Sequence, residues 1–265
     1  MLSLRNPHQF DVSHVAADVR GLREPLRISF LTDLHLGPYL AADDLEAWVA
    51  ASNAERPDLV LLGGDIVDQR YGGDLSELRM ILPSLTAPLG AYAVLGNHDR
   101  TRFRHLEPLR GALADGGVEL LVNQGRYVRG DLFVAGIDDL RVGDASVDGA
   151  LAHAPGSGGS SDAAKDSGAA TLLLSHNPDI IAELPQDYGP VGIDLLLAGH
   201  THGGQIRIPG LGPLVTSSKY GARYASGWVP APFPAFVSRG LGVTALPFRF
   251  ACPAELVVFD LRPAA

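Results

Sequence analysis

Leu59-Val60-Leu61-Leu62-Gly63-Gly64-Asp65-Ile66-Val67-Asp68 is the stretch whose reading decides the fold. A short apolar run closed by glycines reads as a buried strand, and one that stops at Gly-Gly-Asp delivers a carboxylate to a sheet edge. Four other apolar runs end in a similar way. Leu26 to Leu31, with Leu26, Ile28 and Phe30 alternating, runs into Asp33-Leu34-His35, and Tyr92 to Leu95 runs into Gly96-Asn97-His98-Asp99. Thr171 to Leu174 meets Ser175-His176, and Leu195 to Ala198 meets Gly199-His200-Thr201-His202. If these strands lie side by side, their ends gather Asp, Asn and His donors around one point, which is the inventory of a metal site.

Working outward, Phe10 to Val19 alternates loosely and reads as an edge strand. Asp43 and Asp44 suit a helix start, with Leu45, Trp48 and Val49 on one face and Pro57 closing the segment. A second helix is expected from Asp74, where Asp74-x-x-Glu77 reads as a capping box and Leu75, Leu78 and Leu82 share a face before Pro83. A third is expected from Pro108 to Gly116-Gly117. Strand alternating with helix implies parallel pairing through right-handed crossovers.

The character then changes. Val118 to Val122, Arg126 to Val128 and Leu132 to Ala135 read as short strands joined by hairpin turns at Asn123-Gln124-Gly125 and Arg129-Gly130-Asp131, hence a second, partly antiparallel sheet. Residues 142–169, with Pro155-Gly156-Ser157-Gly158-Gly159-Ser160-Ser161-Asp162, read as a flexible surface loop. Strand-like runs return at Gln205 to Ile208, Ala235 to Ser238 and Glu255 to Leu261. Because runs of one kind stand on both sides of the loop, residues 1–265 are expected to form a single domain.

With 265 residues, 46% of them apolar, the chain can bury a large core. A formal net charge of −9 disfavours sequence-independent binding to a nucleic acid polymer, whereas a small phosphorylated substrate such as a nucleotide or a lipid head group is compatible once divalent cations set the local field. The single cysteine, Cys252, permits no intrachain disulfide and reads as a small buried residue. Met1 to Phe10 shows neither a secretory signal nor an anchor, and no segment reaches the ~18 apolar residues of a membrane span. A cytoplasmic protein is expected, with peripheral membrane contact left open and the oligomeric state unread.

The candidate metal ligands, in order, are Asp33, His35, Asp65, Asn97, His176, His200 and His202. Mixed Asp, Asn and His donors suit manganese, iron, zinc or cobalt better than calcium, and the lack of cysteine ligands argues against a structural zinc site. Seven ligands would crowd one ion that must also hold water and substrate. A carboxylate shared by two ions, for which Asp65 is the candidate, removes the crowding. Two ions ~3.5 to 4 Å apart clamp a phosphoryl oxygen and turn a shared water into a nucleophile.

Asp33-x-His35, Gly64-Asp65-x-x-Asp68, Gly96-Asn97-His98-Asp99, His176 and Gly199-His200-x-His202 together resemble the motif series of the calcineurin-like metallophosphoesterases. The resemblance implies an α/β fold, a four-layer αββα sandwich of two mixed β-sheets flanked by helices. It implies two divalent metal ions, manganese first, with iron, zinc, cobalt or magnesium as alternatives. Carried over by position, it assigns Asp33, His35, Asp65 and His202 to one metal and Asp65, Asn97, His176 and His200 to the other. A hydroxide bridging the metals would attack the phosphorus. His98 would assist at the leaving group as proton donor or charge stabiliser, and Asp99 would orient its ring; Asp68 is balanced between a turn role and a site role.

Gly199-His200-Thr201-His202-Gly203-Gly204-Gln205, Ser175-His176-Asn177-Pro178-Asp179, Gly136-Ile137-Asp138-Asp139 and Ser238-Arg239-Gly240-Leu241-Gly242 are similar to the bacterial branch of membrane-associated phosphodiesterases and lipid A precursor (diacylglucosamine nucleotide) hydrolases. Hydrolysis of a phosphodiester or pyrophosphate is the implied reaction. A phosphomonoesterase or protein phosphatase with the same site is the alternative, and a non-catalytic scaffold a further one. Asp138 and Asp139 stand between site-shaping and turn roles. Lys219, Tyr220, Arg223 and Tyr224 stand between substrate contacts and a solvated loop over packed tyrosines, and Arg239 and Arg249 between ion-pair and substrate-clamping roles.

Overall fold

The computed structural model describes residues 4–155, 168–184 and 192–264. In chain order its strands and longer helices begin with β1 (Leu4–Arg5), β2 (Phe10–Val19), β3 (Leu26–Leu31), α1 (Ala42–Ala54), β4 (Leu59–Leu62), α2 (Ser76–Ile81), β5 (Ala91–Ala93), α3 (Asn97–Arg102), α4 (Glu107–Asp115) and β6 (Val118–Leu120). There follow β7 (Gln124–Arg129), β8 (Leu132–Gly136), α5 (Val147–Leu151), β9 (Ala170–Leu174), β10 (Leu195–Ala198), β11 (Arg207–Ile208), β12 (Gly212–Pro213), β13 (Gly227–Trp228), β14 (Ala235–Val237), β15 (Arg249–Phe250) and β16 (Ala254–Pro263).

Two six-stranded sheets carry the architecture, ordered β2-β16-β3-β4-β5-β6 and β13-β14-β10-β9-β8-β7. In the first, β3, β4, β5 and β6 are parallel and β16 runs antiparallel to β3. In the second, β8, β9, β10 and β14 are parallel, with β7 and β13 as antiparallel edges. Strand alternation sorts the apolar residues into three cores. Leu59 and Leu61 face the space between the sheets with Ile28, Phe30, Leu172, Leu174, Leu195 and Leu197. Val60 and Leu62 face the opposite way, onto Leu45, Trp48, Leu78 and Leu109 of the helices. Leu173 and Leu196 face the far side with Ala150, Ile180 and Phe233. Helix, sheet, sheet, helix is the four-layer αββα sandwich.

The first expected helix forms, with the Asp44 carboxylate accepting the Ala41 amide at its start. At the second, the Asp74 carboxylate accepts the Ser76 amide, but Glu77 turns to the Tyr71 hydroxyl, so the expected capping box is not made. Val118–Leu120 corrects the sequence reading more substantially. It pairs in parallel with β5 as the edge of the first sheet, and the chain changes sheets immediately after it. Asn123-Gln124-Gly125 is therefore no hairpin turn, whereas Arg129-Gly130-Asp131 does link antiparallel β7 and β8. Within 142–169, Val147–Leu151 is helical and residues 156–167 lie outside the described residues.

Candidate metal centre

Every candidate ligand follows the C-terminal end of a parallel strand: β3 leads to Asp33 and His35, β4 to Asp65, β5 to Asn97, β9 to His176 and β10 to His200 and His202. Ends of parallel strands are where α/β sheets place ligands. The loops are laced together, with the Asp33 amide donating to the Gly64 carbonyl (2.9 Å), the His35 amide to Asp65 (2.9 Å) and the Gly199 amide to His176 (3.0 Å). Asp33, His35, Asp65, His200 and His202 all have left-handed backbone, φ between 48° and 71°. Five non-glycine residues held there mark a strained segment whose side-chain directions the surrounding fold dictates. Gly64, at φ 89°, brings the Asp65 loop against its neighbours, since a Cβ would lie 2.7 Å from the Gly96 nitrogen and 2.8 Å from His176 Nδ1.

The side chains converge on Asp65. Its Oδ2 lies 3.4 Å from His35 Nε2 and 3.2 Å from His176 Nε2, while Oδ1 accepts the His98 amide at 2.8 Å. On one side His35 Nε2 is 3.0 Å from His202 Nε2, which is 3.5 Å from Asp33 Oδ1. On the other, His200 Nδ1 is 3.2 Å from His176 Nε2. Asp33-His35-His202 and Asp65-His176-His200 are thus two compact buried donor triads. His176 Nδ1 donates to the Gly63 carbonyl at 2.8 Å, which aims Nε2 inward, as an outer hydrogen bond does for a ligating imidazole. Asn97 Oδ1 is buried without a hydrogen-bond partner, a cost that a cation at the cluster would remove. The donor set fits divalent cations.

Burial would raise the Asp65 carboxyl, but His176 and His35 hold it well below the ordinary range. Burial lowers His176, yet Asp65 and Asp33 more than offset it and push the imidazole up to about 10. His200 is pushed down to about 3 by burial and by His176.

Asp99 does not meet the ring of His98 in the expected way. Its carboxylate accepts the amides of Gly96 (2.9 Å), Val67 (3.0 Å) and Ile66 (3.2 Å), tying the two motif loops together. Asp68 lies nearer the rings: its Oδ2 is 3.5 Å from His98 Nδ1 and 3.7 Å from His35 Nδ1, and Arg70 holds its other oxygen at 2.8 Å. The physical reason is α3. With Asp99 in its first turn, the carboxylate turns back onto the Gly96 amide at the helix start and there meets the Ile66 and Val67 amides of the loop after β4.

Asp138 accepts both arms of Arg100, anchoring α3, and Asp139 accepts the Arg141 and Val142 amides of its own turn. Arg239 pairs with Glu255 at 2.6 Å. Arg249 is buried and donates to the carbonyls of His202, Arg239, Gly240 and Gly242, clamping the loop that presents His202. Its only sequence signal was an arginine among apolar neighbours. Tyr224 is buried beneath Arg223, and Lys219 lies on the surface 3.5 Å from Glu183.

Comparison with known proteins bears on this constellation directly. The sequence model of the family described as Calcineurin-like phosphoesterase matches residues 26–204, the segment from β3 to just beyond His202. An uncharacterised metallophosphoesterase of Bacillus subtilis, YkuE, is 31% identical over 246 residues, covering 89% of this chain and 79% of that protein. The phosphodiesterase YaeI of Escherichia coli is 29% identical over 210 residues, covering 76% of this chain and 69% of that one. A Helicobacter pylori metallophosphoesterase is 31% identical over 91% of this chain, which spans only 61% of its length. The match takes in all seven candidate ligands and His98, and the chain belongs to the calcineurin-like phosphoesterase family.

Proposed function

We propose that the protein hydrolyses a phosphodiester or pyrophosphate using two divalent cations, manganese foremost, that share Asp65. The observation that carries this reading is the pair of donor triads meeting at one carboxylate oxygen, 3.4 Å from His35 and 3.2 Å from His176. Asp33, His35, Asp65 and His202 would hold one cation, and Asp65, Asn97, His176 and His200 the other. Once bound, such cations polarise the phosphoryl group and lower the pKa of water.

The chain's own contribution is positional. The Gln69 amide donates to His98 Nδ1 at 3.2 Å, which makes Nε2 the proton-bearing nitrogen of the neutral ring. Burial holds His98 below its ordinary range, with Asp65 only partly opposing. At neutral pH the ring is therefore an N–H donor to an oxygen gaining charge, at the leaving group or on the phosphoryl, rather than an imidazolium acid. Asp99 acts through the backbone, holding Gly96, Ile66 and Val67 so that Asn97, His98 and Asp65 keep their spacing.

Manganese-loaded protein is to be assayed on bis-p-nitrophenyl phosphate and p-nitrophenyl phosphate. The diester is expected to turn over faster, and His98→Ala to lose about 10²- to 10³-fold in kcat with its metal content unchanged. Faster monoester cleavage would favour the phosphomonoesterase reading, and equal inactivity of wild type and His98→Ala on both esters would contradict hydrolysis.

A further inference from the structure

Among the described residues, five exposed large apolar side chains, Ile208, Leu211, Leu214, Val215 and Tyr220, fall in one stretch that follows His202. The β11–β12 hairpin leaves the ligand loop at Gln205, whose amide side chain is tied to Thr244, Leu246 and Phe248. The hairpin base is fixed by the Ile206–Phe250 bridge and by the Leu214 amide donating to the Ile206 carbonyl. From that rigid base Leu211 stands 81% exposed and Val215 75%, with Leu214 and Ile208 also open. Exposed singly, such residues need no explanation; clustered on one hairpin they mark a contact surface. The hairpin packs against the loop of His202, since a Cβ on Gly204 would lie 3.0 Å from the Val215 carbonyl oxygen.

The segment that carries these side chains contributes only basic charge. Between Asp194 and Glu255 the sequence contains no acidic residue, in a chain with thirty of them, and it contains Arg207, Lys219, Arg223, Arg239 and Arg249. Arg239 is neutralised by Glu255, and Arg249 is buried. Arg207, held by the Ser226 hydroxyl, and Arg223, lying over Tyr224, carry their charge beside the hairpin, as does Lys219 even with Glu183 at 3.5 Å. The Lys219 segment is itself fastened to the loop that follows His176, since Asp179 accepts the Ser218 hydroxyl and the Lys219 amide. An apolar tip flanked by cations in an otherwise acidic protein matches one environment in both chemistries, the interface of a bilayer with anionic head groups.

We propose that the 206–223 hairpin and loop form a docking surface for an anionic lipid bilayer, seating the mouth of the metal centre at the membrane surface. The partner is the lipid surface itself, so the proposal holds whichever ester the site cleaves.

Flotation with vesicles of phosphatidylcholine, alone or mixed with phosphatidylglycerol, tests it. Wild type should partition onto the mixed vesicles, less onto neutral ones, and be released as salt is raised. The Leu211→Glu/Val215→Glu double variant should lose at least about tenfold in partitioning, and Lys219→Ala about fivefold. Turnover of a soluble ester and the thermal midpoint of the double variant should stay at wild-type values, which separates docking from both catalysis and folding. Equal partitioning of wild type and double variant, or no binding to mixed vesicles, would overturn the proposal. So would a concentration-dependent dimer in sedimentation that the double variant abolishes, because a second copy would then be what covers the patch.

Discussion

Asp68 and Asp99 differ only in where their carboxylates turn, and that difference assigns their work. Both lie next to ligand motifs, but Asp99 is consumed by three backbone amides whereas Asp68 faces the rings of His35 and His98. Asp68→Asn is expected to lower kcat about 10- to 100-fold while the protein still binds its metals, as loss of an outer partner does. Steady-state kinetics beside metal analysis checks this, and unchanged kcat would show that the contact is idle. His176 makes a second prediction at this scale. Asp65 at 3.2 Å and the nearby Asp33 favour the charged ring, which explains a pKa pushed up to about 10 against the cost of burial. Below that value the metal-free ring carries a proton that must leave before Nε2 can coordinate. Manganese affinity should therefore rise by up to about tenfold per pH unit between about pH 6 and 8, with proton release seen by calorimetry in buffers of different ionisation enthalpy. The seven ligands were readable because each follows an apolar run directly. The backbone role of Asp99 was not, because it depends on the Ile66 and Val67 amides, which the fold brings to it from another loop.

Among the elements, the parallel strands did most to make the site legible. Runs such as Leu59 to Leu62 and Leu195 to Ala198 are buried on both faces, so they are continuous and apolar, and their ends are sharp. Val118–Leu120 was misplaced because three alternating residues fit either sheet, and pairing with β5 is a long-range choice. α3 was hidden because its residues, Asn97 to Arg102, are polar and its anchors, Asp138 and the Gly96 loop, lie elsewhere in the chain. Arg249 is the clearest case, since nothing within its own segment announces four carbonyl partners drawn from His202 and residues 239–242. Arg249→Met keeps much of the volume but orphans those carbonyls. It should cost about 3 kcal/mol in denaturant unfolding and weaken metal binding through His202. A stability loss under about 0.5 kcal/mol would mean the clamp is dispensable.

For the molecule as a whole, two sheets meet with their strand ends on one side, so the centre is built from both halves of the sandwich. Asp33, Asp65 and Asn97 come from the first sheet and His176, His200 and His202 from the second. Cations that bridge the halves stabilise the folded state alone. At 100 to 1,000 times the dissociation constant, manganese should add roughly 3 to 4 kcal/mol and raise the thermal midpoint by about 6 to 12 °C over chelated protein. Calorimetric scans check the shift, and identical midpoints would mean that the ions do not join the sheets.

Sharing of the Asp65 carboxylate is tested most directly by anomalous diffraction from manganese-loaded crystals. The account predicts two peaks flanking Asp65, one toward Asp33, His35 and His202 and the other toward Asn97, His176 and His200. A single peak, or a pair that leaves Asp65 uncoordinated, would contradict it.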